Sequence, residues 1–214
     1  MKNGHKEALV LGLLTLLVAS MPLSYLVGSY WHFFSWSSVL VPLAGLYGGL
    51  GSTILLFIVR CGLRSLLSSA SIVLLFTNTI PGLVASVYWY QSKAIRTLIP
   101  VVCMVAFVVH PVGSLVAWYA LLWLIPVFVQ YFNRKLLFAD ALAATFTAHA
   151  VGSIIWLYTV PMTAAHYVTL VPLVIAERLL FATGITLGVY LINYLSARFI
   201  YTAERLTSAD RAVA

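Results

Sequence analysis

Residues 97–132 read TLIPVVCMVAFVVHPVGSLVAWYALLWLIPVFVQYF and contain no aspartate, glutamate, lysine or arginine. A run of this length and apolarity belongs in a lipid bilayer. As one straight α-helix it would measure about 54 Å, whereas the hydrocarbon core of a bilayer is about 30 Å thick. The run is therefore a long bent helix, a re-entrant segment or a hairpin. The sequence His110-Pro111-Val112-Gly113 marks the break, because proline interrupts helical hydrogen bonding.

The composition of the whole chain agrees with a membrane location. Of the 214 residues, 63% are hydrophobic and 8% are charged, and the mean hydropathy is +1.04. A soluble domain carries about 25% charged residues. The composition excludes a soluble globular domain, a disordered chain and a coiled coil, and the long apolar runs do not alternate as β-barrel strands do. We predict an all-α, polytopic transmembrane helical bundle that forms one domain over residues 1–214.

Six apolar stretches are candidate membrane spans. A second helix break is predicted within one of them, where Pro81-Gly82 follows Asn78. If the stretches that contain Pro81 and Pro111 are hairpins, the count rises to as many as eight segments. The six stretches are 8–28, 38–59, 65–90, 97–132, 136–159 and 168–196.

The basic residues lie in short turns between the apolar stretches. The net charge is +7, from 12 lysines and arginines against 5 acidic residues. This distribution is typical of cytoplasmic loops and predicts a multi-pass protein of the plasma membrane with cytoplasmic ends at 1–7 and 197–214. Nucleic acid is not expected as a partner, because its binding needs a contiguous basic face. The turns contain Arg60 and Arg64, Lys93 and Arg96, and Arg134 and Lys135.

A short repeat draws attention to two histidines. His110-Pro111-Val112-Gly113-Ser114 is echoed by His149-Ala150-Val151-Gly152-Ser153. Transporters are often built from repeats whose broken helices carry the binding site, so the repeat points to a site near both histidines. The alternative is a chance similarity between two apolar segments of similar composition.

Ionisable residues are rare inside membranes and usually face a cavity or a partner. Glu177 and Arg178 are adjacent and point about 100° apart on a helix, so we do not expect them to pair with each other. Asp140 is the candidate partner of Arg178 in a structural ion pair that joins two helices. The alternative is that Glu177 and Arg178 bind charged groups of a ligand.

Polar and aromatic side chains near the predicted breaks suggest a ligand pocket. His149 shares one helix face with Thr145 and Ser153, and tryptophans nearby can stack on a flat molecule. We therefore predict a site for a small aromatic or heterocyclic solute. Its candidate ligand-binding residues are Asn78, His110, Trp118, His149, Trp156, Glu177 and Arg178.

No catalytic, nucleotide-binding or metal-binding motif is present in the sequence. We therefore expect no cofactor, no metal and no enzymatic activity. An integral-membrane lipid enzyme with His149 or Glu177 as general base is the weaker alternative.

Three segments resemble the substrate-binding S components of energy-coupling factor (ECF) transporters. Residues 38–51, SVLVPLAGLYGGLG, resemble the glycine-spaced second helix of that family, and residues 80–85, IPGLVA, with the basic turn at 93–96 resemble its middle region. Ala8-xxx-Gly12 is similar to the small-residue motif by which the first helix docks on the coupling subunit. The resemblance implies a small ligand near the outer face, with separate ATPase and transmembrane coupling subunits as partners. The His-rich N-terminal metal-binding motif of the family's nickel/cobalt members is absent, which argues against a metal substrate.

Two other functions fit the same sequence. A stand-alone channel or secondary transporter would use the broken helices as half-sites. A structural subunit of a larger membrane complex would use the buried polar groups only to hold helices together.

Overall fold

A computed structural model shows a predominantly helical protein with one short pair of strands. The structure describes residues 4–18, 21–25, 33–67, 72–132 and 136–213. In chain order the elements are α1 (Gly4–Leu17), β1 (Pro22–Tyr25), β2 (Phe33–Ser35), α2 (Ser37–Leu67), α3 (Ile72–Val87), a 3-10 turn (Tyr88–Tyr90), α4 (Lys93–Val109), α5 (Pro111–Leu115), a 3-10 helix (Ala117–Trp123), α6 (Leu124–Phe132), α7 (Leu137–Thr159) and α8 (Ala164–Val213).

Within the described residues, three helices are long and apolar enough to cross a membrane. They are Ser37–Gly62, whose length is counted through the bend at Gly49 described below, Leu137–Thr159 and Ala164–Arg198. The last two confirm the predicted spans 136–159 and 168–196. The protein is thus a membrane protein by the length and composition of its helices. Six spans are not confirmed, since three helices of this kind are found among the described residues.

The first predicted span, 8–28, is wrong in its extent. Helix α1 ends at Leu17, and the chain then forms strand β1, which pairs antiparallel with β2. The physical reason is Pro22, which lacks a backbone N–H and so favours a strand edge over continued helix.

The second predicted span, 38–59, folds back on itself within α2. Gly49 has φ 74° and ψ −175°, a conformation outside the helical region. Arg60 Nη2 donates a hydrogen bond to Ser37 Oγ at 3.0 Å. In a straight helix these two residues would be about 34 Å apart. Helix α2 is therefore a hairpin of two arms, 37–48 and 50–67, that meet at Gly49.

The helix break predicted near Pro81 is wrong. The helix is continuous from Ile72 to Val87, with the proline inside it. A Cβ at Gly152 of α7 would lie 3.2 Å from Pro81 Cγ, so the glycine makes room for the proline ring. The ring packs against the neighbouring helix instead of ending its own, so residues 72–87 do not turn back at Pro81.

The run 97–132 does turn back, as one of the sequence interpretations has it. Helix α4 ends at Val109, and His110 has an extended conformation before Pro111 begins α5. On the return, the Trp123 ring lies 5.2 Å from the Phe107 ring. The break near Pro111 is therefore confirmed, and the run is a hairpin.

The far end of this hairpin lies beside the turn that follows α3. Gln130 Nε2 donates to Tyr88 Oη, and the Arg96 guanidinium lies 4.6 Å from the centre of the Tyr88 ring. Residues 96 and 130 are thus at the same end of the bundle. This contact shows that α4 and α6 run in opposite directions.

The contacts of the first arm of α2 orient the rest of the bundle. Ser86 Oγ of α3 donates to the Val41 carbonyl at 2.7 Å, and a Cβ at Gly45 would lie 2.7 Å from Ser86 Cβ. Glycine is therefore required at position 45, where α3 approaches closely.

Arg60 lies at the end of the bundle where α2 begins, which we call the Ser37 end. Arg96 lies at the opposite end, which we call the Gly49 end.

Helix α8 runs in the same direction as this arm. A Cβ at Gly184 would lie 3.0 Å from Val39, and one at Gly188 would lie 2.5 Å from Leu43. Near the Gly49 end, Tyr47 Oη donates to Asn193 Oδ1 at 2.9 Å.

Side chains of α1, α2, α7 and α8 together form one hydrophobic core, and those of α4, the 3-10 helix, α7 and α8 form a second.

The two histidine segments of the repeat have different structures. His110 separates two helices, whereas His149 lies within the uninterrupted helix α7. The idea of a repeated broken helix is therefore wrong, because proline follows His110 but alanine follows His149.

Candidate functional site

Helix α7 is the central helix of the bundle, packed against α3, α4, α6 and α8. Its first half carries buried alanines, among them Ala141, Ala143 and Ala144, all fully buried. Small residues let neighbouring helices approach closely. This packing places the middle of α7, around His149, where side chains from several elements meet.

His149 is the centre of a polar group inside the bundle. Its Nε2 atom lies 3.0 Å from Tyr119 Oη of the 3-10 helix and 3.3 Å from Ser153 Oγ, one turn along α7. Both hydroxyls therefore share one ring nitrogen. Tyr119 is buried and His149 is partly buried, so the histidine is the more accessible of the two.

Aromatic rings from four elements surround this polar group. The Phe107 ring stacks on Tyr119 with centroids 5.6 Å apart and meets the Tyr167 ring edge-on at 5.1 Å. The Trp123 ring lies 6.4 Å from the imidazole of His149. Edge-on and stacked arrangements of this kind stabilise aromatic clusters. We call Phe107, Tyr119, Trp123, His149 and Tyr167 the aromatic cluster.

Two hydrogen-bond donors in the aromatic cluster are buried without a partner. The side chains of Trp123 and Tyr167 are 0% and 1% exposed, and neither Trp123 Nε1 nor Tyr167 Oη forms a hydrogen bond. A buried polar group left without a partner costs roughly 1–3 kcal/mol. Such a cost is normally offset by bound water or a ligand.

Glu177 and Arg178 form an ion pair beside the aromatic cluster. Arg178 Nη2 lies 3.2 Å from Glu177 Oε2, and both side chains are 6% exposed. The expectation that these neighbours would not pair is wrong. Long side chains reach around the helix, and burial of Arg178 favours any nearby carboxylate.

Arg178 also makes contacts beyond its neighbour. Its Nη1 donates to the Thr145 carbonyl of α7 at 3.5 Å, and its guanidinium lies 4.6 Å from the centre of the Phe181 ring. Its charge acts electrostatically on both Tyr119 and His149. The ion pair of Arg178 with Glu177 is shown, and the predicted pair of Arg178 with Asp140 stays a prediction.

The structure brings together three of the predicted ligand-binding residues, His149, Glu177 and Arg178. His110 has a different position, where its Nδ1 accepts a hydrogen bond from the Val112 N–H at 3.2 Å and begins α5. Trp118 is 48% exposed on the outside of the bundle, so it does not join the cluster.

The other two predicted ligand-binding residues are Trp156 and Asn78. Trp156 is partly buried on α7, two turns beyond His149. Asn78 belongs to α3, but its side chain lies outside the described residues.

Sequence reasoning missed Tyr119 and Tyr167. It considered Trp123 as a ring that can stack on a ligand but left it out of the candidate residues. It selected Trp118 of the pair Trp118-Tyr119, and the 3-10 helix turns the neighbouring tyrosine inward instead. The spacing of two of these residues in the sequence could have identified them. Tyr119 and Trp123 are four residues apart, which puts both rings on one side of a helical segment.

The site offers aromatic faces, a histidine, hydroxyls and a buried charge pair. Groups of these kinds can stack on a bound molecule, form hydrogen bonds with it or pair with its charge. Among the described residues, no group of three histidine, cysteine or acidic side chains lies close enough to hold a metal ion.

Comparison with known proteins gives no relative of this chain. No protein-family model, no curated protein and no solved structure matches it. The fold and the site therefore define the chain only as a helical membrane protein with a buried aromatic and polar cluster.

Proposed function

We propose that the protein is a membrane-embedded substrate-binding protein of a transport system, and that its solute is small and aromatic or heterocyclic. The observation that supports this proposal is the pair of unpartnered donors, Trp123 Nε1 and Tyr167 Oη, buried among aromatic rings. A planar solute with hydrogen-bond acceptors satisfies both donors and stacks on the same rings.

The ion pair adds a means of selecting the solute. An anionic group on the solute competes with Glu177 for Arg178, and such charge-assisted hydrogen bonds are stronger than neutral ones. The aromatic cluster lies inside the bundle, with Tyr119, Trp123 and Tyr167 buried. Binding then requires a local separation of the 3-10 helix from α7.

We further propose an orientation in the plasma membrane. Lys93, Arg96 and Arg198 belong to the Gly49 end, where α4 begins and the apolar part of α8 finishes. The positive-inside rule favours this end for the cytoplasm, together with the C-terminus. In this orientation Arg60, at the Ser37 end, lies on the other side, contrary to the expectation that all the basic turns are cytoplasmic. A cytoplasmic N-terminus and partner ATPase and coupling subunits belong to the same proposal.

The first experiment is native mass spectrometry of protein purified gently from its own membrane. A co-purifying solute of the expected class supports the proposal, and co-purifying ATPase and coupling subunits support the partnership. If nothing co-purifies, a panel of small aromatic and heterocyclic solutes is screened for an increase in the unfolding temperature. Absence of any ligand in both measurements contradicts the proposal.

Two tyrosine variants test the site itself. Tyr167→Phe removes the unpartnered hydroxyl, so we expect unchanged or higher stability without solute and roughly five- to tenfold weaker solute binding. Tyr131→Phe is the matched control, because that residue is 67% exposed on α6. Equal solute affinity of both variants contradicts the assignment of Tyr167.

His149→Ala tests the centre of the cluster. We expect weaker solute binding by a protein that remains folded in detergent, because the imidazole joins Tyr119 and Ser153. Unchanged affinity contradicts the role of His149.

A stand-alone secondary transporter is the second candidate function. It is favoured by the buried Glu177–Arg178 pair, since ionisable groups inside membranes mark ion and proton pathways. Solute flux into liposomes that contain only this protein would favour this function over an ATP-dependent system.

A further inference from the structure

We propose that the ring of Phe107 occupies the place that the solute takes when it binds. The solute is then a single six-membered heteroaromatic ring with hydrogen-bond acceptors at its edge. This proposal rests on the proposed function and narrows its class of solute. It also gives the solute a place inside a cluster whose rings are already packed together, because a ring of the solute replaces a ring of the chain.

Phe107 lies at the centre of the aromatic cluster, and its side chain is fully buried. The centre of its ring lies 5.6 Å from that of Tyr119, 5.2 Å from that of Trp123 and 5.1 Å from that of Tyr167. It stacks on the first of these rings and meets the other two edge-on. These are the arrangements that aromatic rings prefer, so any planar ring in this place has three aromatic partners.

Phe107 does not match the hydrogen-bonding groups around it. It is the one member of the aromatic cluster whose side chain has no polar atom. The two rings that meet it edge-on, those of Trp123 and Tyr167, are the rings whose donors are buried without a hydrogen-bond partner. Ring nitrogens or carbonyl oxygens of a heterocycle accept from such donors, whereas a phenyl ring offers no lone pair. The space therefore has the size of a phenyl ring and the hydrogen-bonding needs of a heterocycle.

The position of Phe107 in its helix allows the ring to leave. Phe107 is two residues before the end of α4 at Val109, and His110 is already extended. Residues in the last turn of a helix lack part of the helical hydrogen bonding and open most easily. A local loosening of this turn withdraws the ring, while the start of α4 stays capped by Ser92.

The experiment replaces the Phe107 ring with free ring molecules. Phe107→Ala leaves a buried cavity, and apolar cavities of this kind bind small rings. The unfolding temperature in detergent is measured with pyrimidine, which has two acceptors, with benzene, which has none, and with quinazoline, which fuses a second ring to the same acceptors. We expect saturable rises with pyrimidine and benzene and none with quinazoline. The unaltered protein should bind pyrimidine roughly tenfold more weakly, because its own ring competes.

Two double variants test the donors. Phe107→Ala with Tyr167→Phe keeps the cavity and removes one donor, and Phe107→Ala with the exposed Tyr131→Phe is the matched control. The ratio of pyrimidine affinity to benzene affinity is compared, since the hydration of the probes is the same for both variants. We expect this ratio to be roughly five- to tenfold lower for the first variant than for the control. Equal ratios, no response of Phe107→Ala to pyrimidine, or quinazoline bound as tightly as pyrimidine overturns the proposal.

A second measurement does not depend on the folding of Phe107→Ala. A para-fluorophenylalanine at position 107 gives a fluorine NMR signal that should move as the unaltered cluster is saturated with pyrimidine, because the ring leaves its place. The same label at Phe138, a partly exposed residue of α7, is the control. An unchanged signal at position 107, or equal changes at both positions, overturns the proposal.

This proposal and the proposed function fail in different ways. A native solute found by mass spectrometry, with no probe bound by Phe107→Ala, overturns only the place assigned to Phe107. Probe binding by Phe107→Ala, with no native solute in the mass spectrometry or in the solute screen, supports this place and contradicts the proposed function.

Discussion

The hairpin of α2 can be tested by exchanging one glycine for alanine. Gly49 combines φ 74° with ψ −175°, a region that residues with a Cβ avoid at a cost of about 1–3 kcal/mol. Among the described residues, no atom beyond the adjoining part of its own helix lies within 4 Å of the position where its Cβ would be. Any loss of stability therefore comes from the backbone conformation and not from a clash with another element.

Gly51→Ala is the matched control for Gly49→Ala. Gly51 lies two residues further on in helical conformation, and its Cβ position is also open. Alanine in a helix is favoured over glycine by roughly 0.5–1 kcal/mol. We therefore expect Gly49→Ala to be less stable than Gly51→Ala by about 1.5–4 kcal/mol, the sum of both effects.

Two measurements check this prediction. Denaturant unfolding in detergent gives the free-energy difference between the two variants. Spin labels at Ser38 and Ile58, with both native cysteines replaced by alanine, report the geometry. A hairpin keeps the two backbones about 10 Å apart, whereas a straight helix separates them by about 30 Å. Equal stabilities of the two variants, or the longer distance, would refute the reasoning.

Two further substitutions test the packing and the ion pair. Glu177→Gln leaves Arg178 buried without its carboxylate, and we expect a loss of about 3–5 kcal/mol in denaturant unfolding. Replacing Arg178 with methionine in the same protein should restore part of that loss, and a double variant no more stable than Glu177→Gln would contradict this account. Gly45→Ala brings a methyl group within 2.7 Å of Ser86 Cβ, so we expect a loss of about 1–3 kcal/mol. Gly62→Ala, with open space at its Cβ, is the control, and equal unfolding midpoints would contradict the close approach.

The sequence predicts the fold best where one helix is uniformly apolar. Helix α7 and the apolar part of α8 follow from their length and composition alone. That the run 97–132 is not one straight helix follows from a length that no bilayer accommodates, and Pro111 marks the break. These conclusions need no knowledge of tertiary contacts. The structure then selects the hairpin from the three forms that the sequence leaves open.

The sequence fails where the effect of a residue depends on its neighbours. Pro81 does not break α3, because Gly152 on another helix leaves room for its ring. Gly49 does break α2, although it lies in a segment with several glycines and only one of them has a positive φ. Propensity does not distinguish these cases, since tertiary packing decides them.

The candidate site is predicted in part for the same reason. His149, Glu177 and Arg178 are conspicuous because ionisable residues are rare in a membrane. Tyr119, Trp123 and Tyr167 are not conspicuous in a chain where 14% of the residues are aromatic. Only the folded bundle shows which of these rings are buried and which donors lack a partner.

The hairpin of α2 also affects how the rest of the chain is arranged. Because Ser37 and Arg60 touch, the chain enters and leaves this segment at the same end of the helical bundle. Helix α3 therefore starts from the opposite end to the one it would start from if α2 were straight. A single glycine conformation thus sets the direction of the elements that follow it.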